Sequence, residues 1–327
     1  MEKPNYTGAN IAVIGDVIVD KFINVKFTRP SAEDMSANCY EEVGVIRNPG
    51  GAGCTARCVR ALGGNVELYA VTGSGSGSRE LGKELKALGI EDMTIRDTGG
   101  GRPTTFKVRY VNAETGRQLM VAERQTRAPV EKWIEDSLLA RMRQSSASVI
   151  IISDYDRGVV TPVVARGVCD IAKETSKQVI CDGRPRPLAW YEANTHDILL
   201  FKGNLREVEH MLGRSIRTEP ELDMALNEIS QRLRCNVMVT LSQKGMIIQE
   251  MNGDRYSLPA LNPKPICVSG AGDTVAATIA LSTVKGYSLR AACNYANIAA
   301  AITCANPGAE VVSLDKFYQE LEARALG

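Results

Sequence analysis

Four short apolar runs constrain the fold more than any other feature: SVIII (residues 148–152), VICD (179–182), ILLF (198–201) and VMVT (237–240). Each is short for a helix and places apolar side chains on both of its faces, the pattern of a strand covered from two sides. Helix-like spacing fills the gaps, over residues 160–173, 205–212 and 219–233. Strands that alternate with helices pair in parallel, because each crossover returns over the sheet. The expected fold class is therefore α/β, a central mostly parallel sheet with helices on both faces.

The same rhythm begins near the N-terminus. IAVI (11–14) ends at Gly15, helical spacing covers 55–62, Gly63 and Gly64 stop it, and VELYAV (66–71) starts another strand. A further helix is expected over 129–142, with Pro129 in its first turn. Two stretches break the pattern. Residues 20–47 and 104–124 alternate like hairpins, and a small β-sheet lid on a single domain of residues 1–327 is the expected arrangement.

Charge excludes some partners. Lys and Arg number 39 against 38 Asp and Glu, a net charge of +1, so no global field points to nucleic acid or a membrane surface. No apolar run approaches the length of a membrane span, and a cytoplasmic protein is expected. The nine cysteines are scattered apart from Cys54 and Cys58, and the two histidines stand far from them, so reduced thiols and no zinc site are expected.

Ligands of an open parallel sheet bind beyond the C-terminal ends of its strands. Asp16, Asp20, Asp154, Asp182, Asn204 with Glu207, and Ser242 all fall at such ends. So does Gly270-Ala271-Gly272-Asp273, an acid placed after small residues where a helix begins. The free N–H groups of a helix start attract anions. A carboxylate beside them is suited to accept a proton from a hydroxyl that attacks a phosphoryl group. A dinucleotide-binding reading fails, because the third glycine of that fingerprint is missing.

NPGGAG (48–53) together with GAGDT (270–274) resembles the ribokinase-like carbohydrate kinases, the phosphofructokinase-B type family, and the likeness runs from Asn10 to about Leu321. The resemblance implies Asp273 as catalytic base and Gly270, Ala271 and Gly272 as an anion hole. It implies Asn204 and Glu207 as organisers of Mg2+ through water, and Ser242 and Gly245 as contacts to ATP. Asp20, with Gly50 and Gly51 beside it, would bind the sugar, and the lid would join two copies into a homodimer.

Within that family GDVIVDKF (15–22), SDYDRGV (153–159), TTFKVRY (104–110) and KGNLREVE (202–209) are most similar to the heptose-7-phosphate kinases. A phosphorylated acceptor needs cations, and Lys107 and Arg109 on a lid strand are the expected ones, with Arg29 and Arg117 behind them and Asp154 on the acceptor side. Three positions depart from the pattern: SAEDM (31–35) replaces a proline-bearing segment, Cys54 follows the glycines, and Cys267 stands where relatives place an acid for a monovalent cation. A thiol suits soft metals, so potassium activation is not expected. No attached nucleotidyltransferase is expected either.

The expected activity is ATP-dependent phosphorylation of a small-molecule sugar, with the anomeric hydroxyl of a heptose 7-phosphate as leading acceptor. Another sugar, a nucleoside or a small alcohol is the alternative within enzymes. A sugar- or nucleotide-binding regulator without catalysis is the alternative outside them.

Overall fold

The computed structural model describes residues 2–99, 101–184, 186–262, 264–305 and 310–326. Among them a nine-stranded sheet runs in the order Arg255–Leu258, Met246–Gln249, Asn236–Thr240, Leu200–Asn204, Gln178–Asp182, Val149–Ser153, Asn10–Gly15, Asn65–Tyr69 and Glu91–Asp92. All neighbours are parallel except at Met246–Gln249, which is antiparallel to both of its partners. The fold class expected from the apolar runs is the one observed.

Alternate residues of the central strands feed two separate cores. Ile11, Val13, Val149 and Ile151 pack on one face with the helices Ala52–Ala61, Ala271–Val284 and Leu289–Cys304. Ala12, Ile14, Ile150 and Ile152 pack on the other with Lys132–Met142, Pro162–Glu174 and Glu219–Leu233. This double burial is why those strands read as unbroken apolar runs. No helix among the described residues is long and apolar enough to cross a membrane.

Element ends differ in ways that local chemistry explains. The helix expected from Pro129 starts at Lys132, so the proline lies outside its first turn. The helix expected from residue 160 starts at Pro162, because Thr161 caps it by accepting the Val164 N–H at 3.2 Å. The hairpin of Met246–Gln249 and Arg255–Leu258 was not foreseen.

The excursions form a separate four-stranded sheet in the order Asn38–Gly51, Val17–Pro30, Phe106–Asn112 and Gln118–Arg124. Its first hairpin is longer than expected, since Val17 already pairs with Gly51. The central sheet changes direction of growth at Asn10–Gly15: the chain adds Asn65–Tyr69 on one side and later Val149–Ser153 on the other. Such a switch point opens a crevice at the strand ends. The small sheet rises directly out of it, because Val17 follows Gly15 by two residues.

Candidate active site

A cleft of about 770 Å³ lies beyond the strand ends and is lined from both sheets. The helix Ala271–Val284 enters it with its N-terminus. Gly270 caps that helix at φ 83°, a conformation that favours glycine. Its first-turn N–H groups at Gly272 and Asp273 have no intrahelical acceptor, and both residues line the cleft.

Asp273 is 6% exposed. Its Oδ1 accepts two hydrogen bonds, from Thr55 Oγ1 at 2.8 Å and from the Tyr155 hydroxyl at 2.8 Å. Oδ2 has no protein donor among the described residues. Burial, and then the charge of Asp182, raise its pKa; the two hydroxyls and Lys202 oppose the shift without cancelling it. The result is a carboxylate fixed by one oxygen, with the other free to act on a ligand.

Lys202 is the counter-charge. Its Nζ lies 2.6 Å from Asp182 Oδ1, across adjacent strands in which the two residues stand opposite each other. A methyl group added to Gly272 would sit 3.2 Å from that Nζ, so the ammonium abuts the first turn of the helix. Burial works against its charge, but Asp182, Glu207 and Asp273 outweigh it and hold the pKa above the ordinary value. An ammonium, free helix N–H groups and a shielded carboxylate thus converge on one point.

Asn204 and Glu207 form a capping box on the helix Leu205–Leu212: Asn204 Oδ1 accepts the Glu207 N–H at 3.0 Å, and Glu207 Oε2 accepts the Asn204 N–H at 2.7 Å. Both also line the cleft. Ser242 and Gly245 close a tight 3-10 turn at the same end. There Gly245 has φ 93°, and a Cβ would fall 2.0 Å from the Leu258 carbonyl. Asn297, Ala300 and Ala301 line this end as well.

The opposite end carries residues of the small sheet. Asp20 Oδ1 accepts from Arg109 Nη1 at 2.6 Å. Gly50 lies against Asp20, where a Cβ would come within 2.2 Å of Oδ2; Gly51, at φ 59°, would meet the Asp16 carbonyl at 2.3 Å. Lys107 pairs with Glu123 at 3.1 Å. Asp154 is 3% exposed and bound by Arg186, Nε to Oδ2 at 2.6 Å and Nη2 to Oδ1 at 3.2 Å. Lys107, Arg109 and Asp154 thus each have a partner of opposite charge.

Asp16 organises the loop between these ends. It is 1% exposed and accepts the N–H groups of Tyr155, Arg157 and Val159 at 2.8, 3.1 and 3.0 Å. Burial, and then the Asp154 charge, push its pKa up to about 6 in spite of those bonds. Of the residues expected from the sequence, Asp20, Gly51, Lys107, Arg109, Asp154, Asp182, Asn204, Glu207, Ser242, Gly245 and Gly270 to Asp273 line this cleft. Gly50 backs Asp20, and Asp16, Arg29 and Arg117 lie outside the lining. Sequence reasoning missed the parts of Thr55, Tyr155 and Lys202. Tyr155 and Lys202 stand inside SDYDRGV and KGNLREVE, and Thr55 lies two residues beyond NPGGAG.

Replacing Tyr155 by Phe removes one of the two donors to Asp273. If Asp273 is the base, kcat falls roughly tenfold. The acid limb of the pH–rate profile also moves to higher pH, because a hydrogen bond to the carboxylate lowers its pKa. A pH series on the variant measures both.

The chain resembles known proteins along most of its length. The pattern of the pfkB family carbohydrate kinases matches residues 9–316. The bifunctional protein HldE of Caulobacter vibrioides is 34% identical over 316 residues, 94% of this chain and 62% of that protein. The HldE of a Bradyrhizobium species is 31% identical over 310 residues, 93% of this chain and 61% of its own. The chain therefore spans less than two thirds of the length of these relatives. Among solved structures, phosphofructokinase-2 from Escherichia coli in complex with fructose-6-phosphate superposes with a TM-score of 0.79 at 17% identity, covering 98% of this chain and all 100% of that one. Arabidopsis thaliana ribokinase complexed with ribose and ATP gives a TM-score of 0.74 at 16% identity, covering 97% and 99%.

Proposed function

Since this chain belongs to the pfkB family carbohydrate kinases, we propose that it transfers the γ-phosphoryl group of ATP to the anomeric hydroxyl of a heptose 7-phosphate. One observation carries the reading: Asp273 is buried with Oδ1 held by two hydroxyls, beside free helix N–H groups and the Lys202 ammonium. The acceptor hydroxyl gives its proton to Asp273 Oδ2 as its oxygen forms a bond to the γ-phosphorus. The bond from that phosphorus to the bridging oxygen breaks, and its electron pair leaves with ADP. The N–H groups at Gly272 and Asp273, with Lys202, face the charge on the moving phosphoryl.

Asp20 and the backbone at Gly50 and Gly51 contact the sugar in this reading, and Ser242 and Gly245 contact the nucleotide. Mg2+ fits the nucleotide end. Glu207, Asp182 and Asn204 supply hard oxygens there, and no cluster of three or more His, Cys, Asp or Glu forms a cage among the described residues. That donor set suits an ion which keeps much of its water. Asn204 and Glu207 would hold it through that water, and it would neutralise phosphate charge.

The small sheet acts as a lid in one kinase domain and carries the contact between two copies. Phe27, Tyr40, Val43, Ile46 and Met120 on it are each at least 40% exposed, apolar side chains suited to meet their own kind. Light scattering that shows only a monomer at micromolar concentration contradicts the dimer.

The heptose assignment rests on the motifs quoted above; the relatives at 31–34% identity are each named bifunctional protein HldE. ATP consumption over a panel of sugars and sugar phosphates tests it. Turnover restricted to heptose 7-phosphate supports the assignment. Faster turnover of a different acceptor moves it to that acceptor.

A further inference from the structure

We propose that Arg157 is the residue that selects an acceptor already carrying a phosphate. This rests on the sugar-phosphate kinase reading above and deepens it. The cations first expected to do so already have carboxylate partners: Lys107 has Glu123 and Arg109 has Asp20. Lys202 is paired with Asp182, and Arg184 stacks on the Tyr155 ring at 4.3 Å with Glu207 at 3.9 Å. Arg157 lines the same cleft with no carboxylate in ion-pair range among the described residues; Arg206 does too, but it is exposed, on the helix Leu205–Leu212 beside Asn204.

Its guanidinium is also poorly satisfied. Nη1 reaches only the Asp156 carbonyl at 3.2 Å, and Nε is buried with no hydrogen-bond partner. A buried, unpaired donor on a charged group is costly, and an anion that draws the side chain to itself relieves that cost. Two acids of the same loop are held by other arginines, Asp154 by Arg186 and Asp156 by Arg127 at 3.4 Å. They do not compete for it.

The backbone under Arg157 is fixed. Its N–H donates to Asp16 at 3.1 Å, and its carbonyl accepts from Arg102 Nη1 at 2.8 Å. Arg102 belongs to the segment that leads into the lid strand Phe106–Asn112, so the loop bridges the lid and the reacting end. Two residues before Arg157, Tyr155 touches Asp273. The same loop therefore sets Tyr155 against the reacting acid and Arg157, two residues on, in the lining of the same cleft, where the acceptor's phosphate is proposed to lie. A planar guanidinium on a fixed stem grips a phosphate through two parallel hydrogen bonds.

The test compares wild type, Arg157→Gln and Arg157→Lys on heptose 7-phosphate and on the same heptose without its phosphate. The expected result is that the kcat/KM ratio between the two acceptors falls about 10²-fold in Arg157→Gln. The loss should sit in the acceptor KM rather than the ATP KM, and Arg157→Lys should recover part of it. Calorimetric binding of heptose 7-phosphate without ATP should weaken in parallel. An equal loss on both acceptors, or no loss on either, overturns the proposal. If wild type turns over neither acceptor, the kinase reading is what fails; calorimetry then judges Arg157 alone, and binding that is absent in wild type or unchanged in Arg157→Gln overturns it.

Discussion

Asp273→Asn should lower kcat by about 10²–10⁴-fold, the usual loss when a general base is removed. Asparagine keeps an oxygen able to accept from Thr55 and Tyr155, now at 2.8 Å each, so the helix start and its neighbours stay in place. ATP binding and thermal stability should change little by comparison. The wild-type pH profile carries the same signature. The proposed transfer requires the ionised carboxylate, and burial raises its pKa, so the rate should climb with pH along an acid limb above the ordinary carboxylate value of about 4. In Asp273→Asn that limb should vanish from the residual rate.

Lys202→Met should be nearly as damaging, for two separable reasons. The ammonium faces the first turn of the Ala271–Val284 helix, where the proposed transfer develops charge, and losing one such group costs about 10²–10³-fold in kcat. The variant also strands Asp182, whose side chain is only 15% exposed. Breaking one side of a buried pair costs about 3–5 kcal/mol of stability. The double variant Lys202→Met with Asp182→Asn removes the stranded charge. Its melting temperature should recover most of the loss while its activity stays low. Recovery of both together would make Lys202 a purely structural residue.

The parallel sheet was legible because its central strands are covered on both faces. Burial of Val149, Ile150, Ile151 and Ile152 leaves no polar alternation to confuse with a surface strand. The hairpin at Met246–Gln249 was not, since MIIQ is as short and apolar as a fragment of a helix. The GAGD turn and the Asn204–Glu207 pair were legible because each is local in sequence. Pairing across strands is not. Asp182 meets Lys202 through sheet register and Asp20 meets Arg109 across 89 residues, so neither pair can be read from spacing. Tyr155 and Thr55 reach Asp273 from 118 and 218 residues away. No spacing rule joins residues so distant, and the site that surrounds the acid could be assembled only from coordinates.

The most direct measurement of the central claim is a phosphorus NMR time course of the purified protein with ATP, magnesium and heptose 7-phosphate. The expected result is stoichiometric conversion of ATP to ADP with one new resonance coupled to the anomeric proton, absent with Asp273→Asn. Release of inorganic phosphate at a rate independent of the sugar, or equal conversion by Asp273→Asn, would contradict the assignment of Asp273 as the base of a sugar kinase.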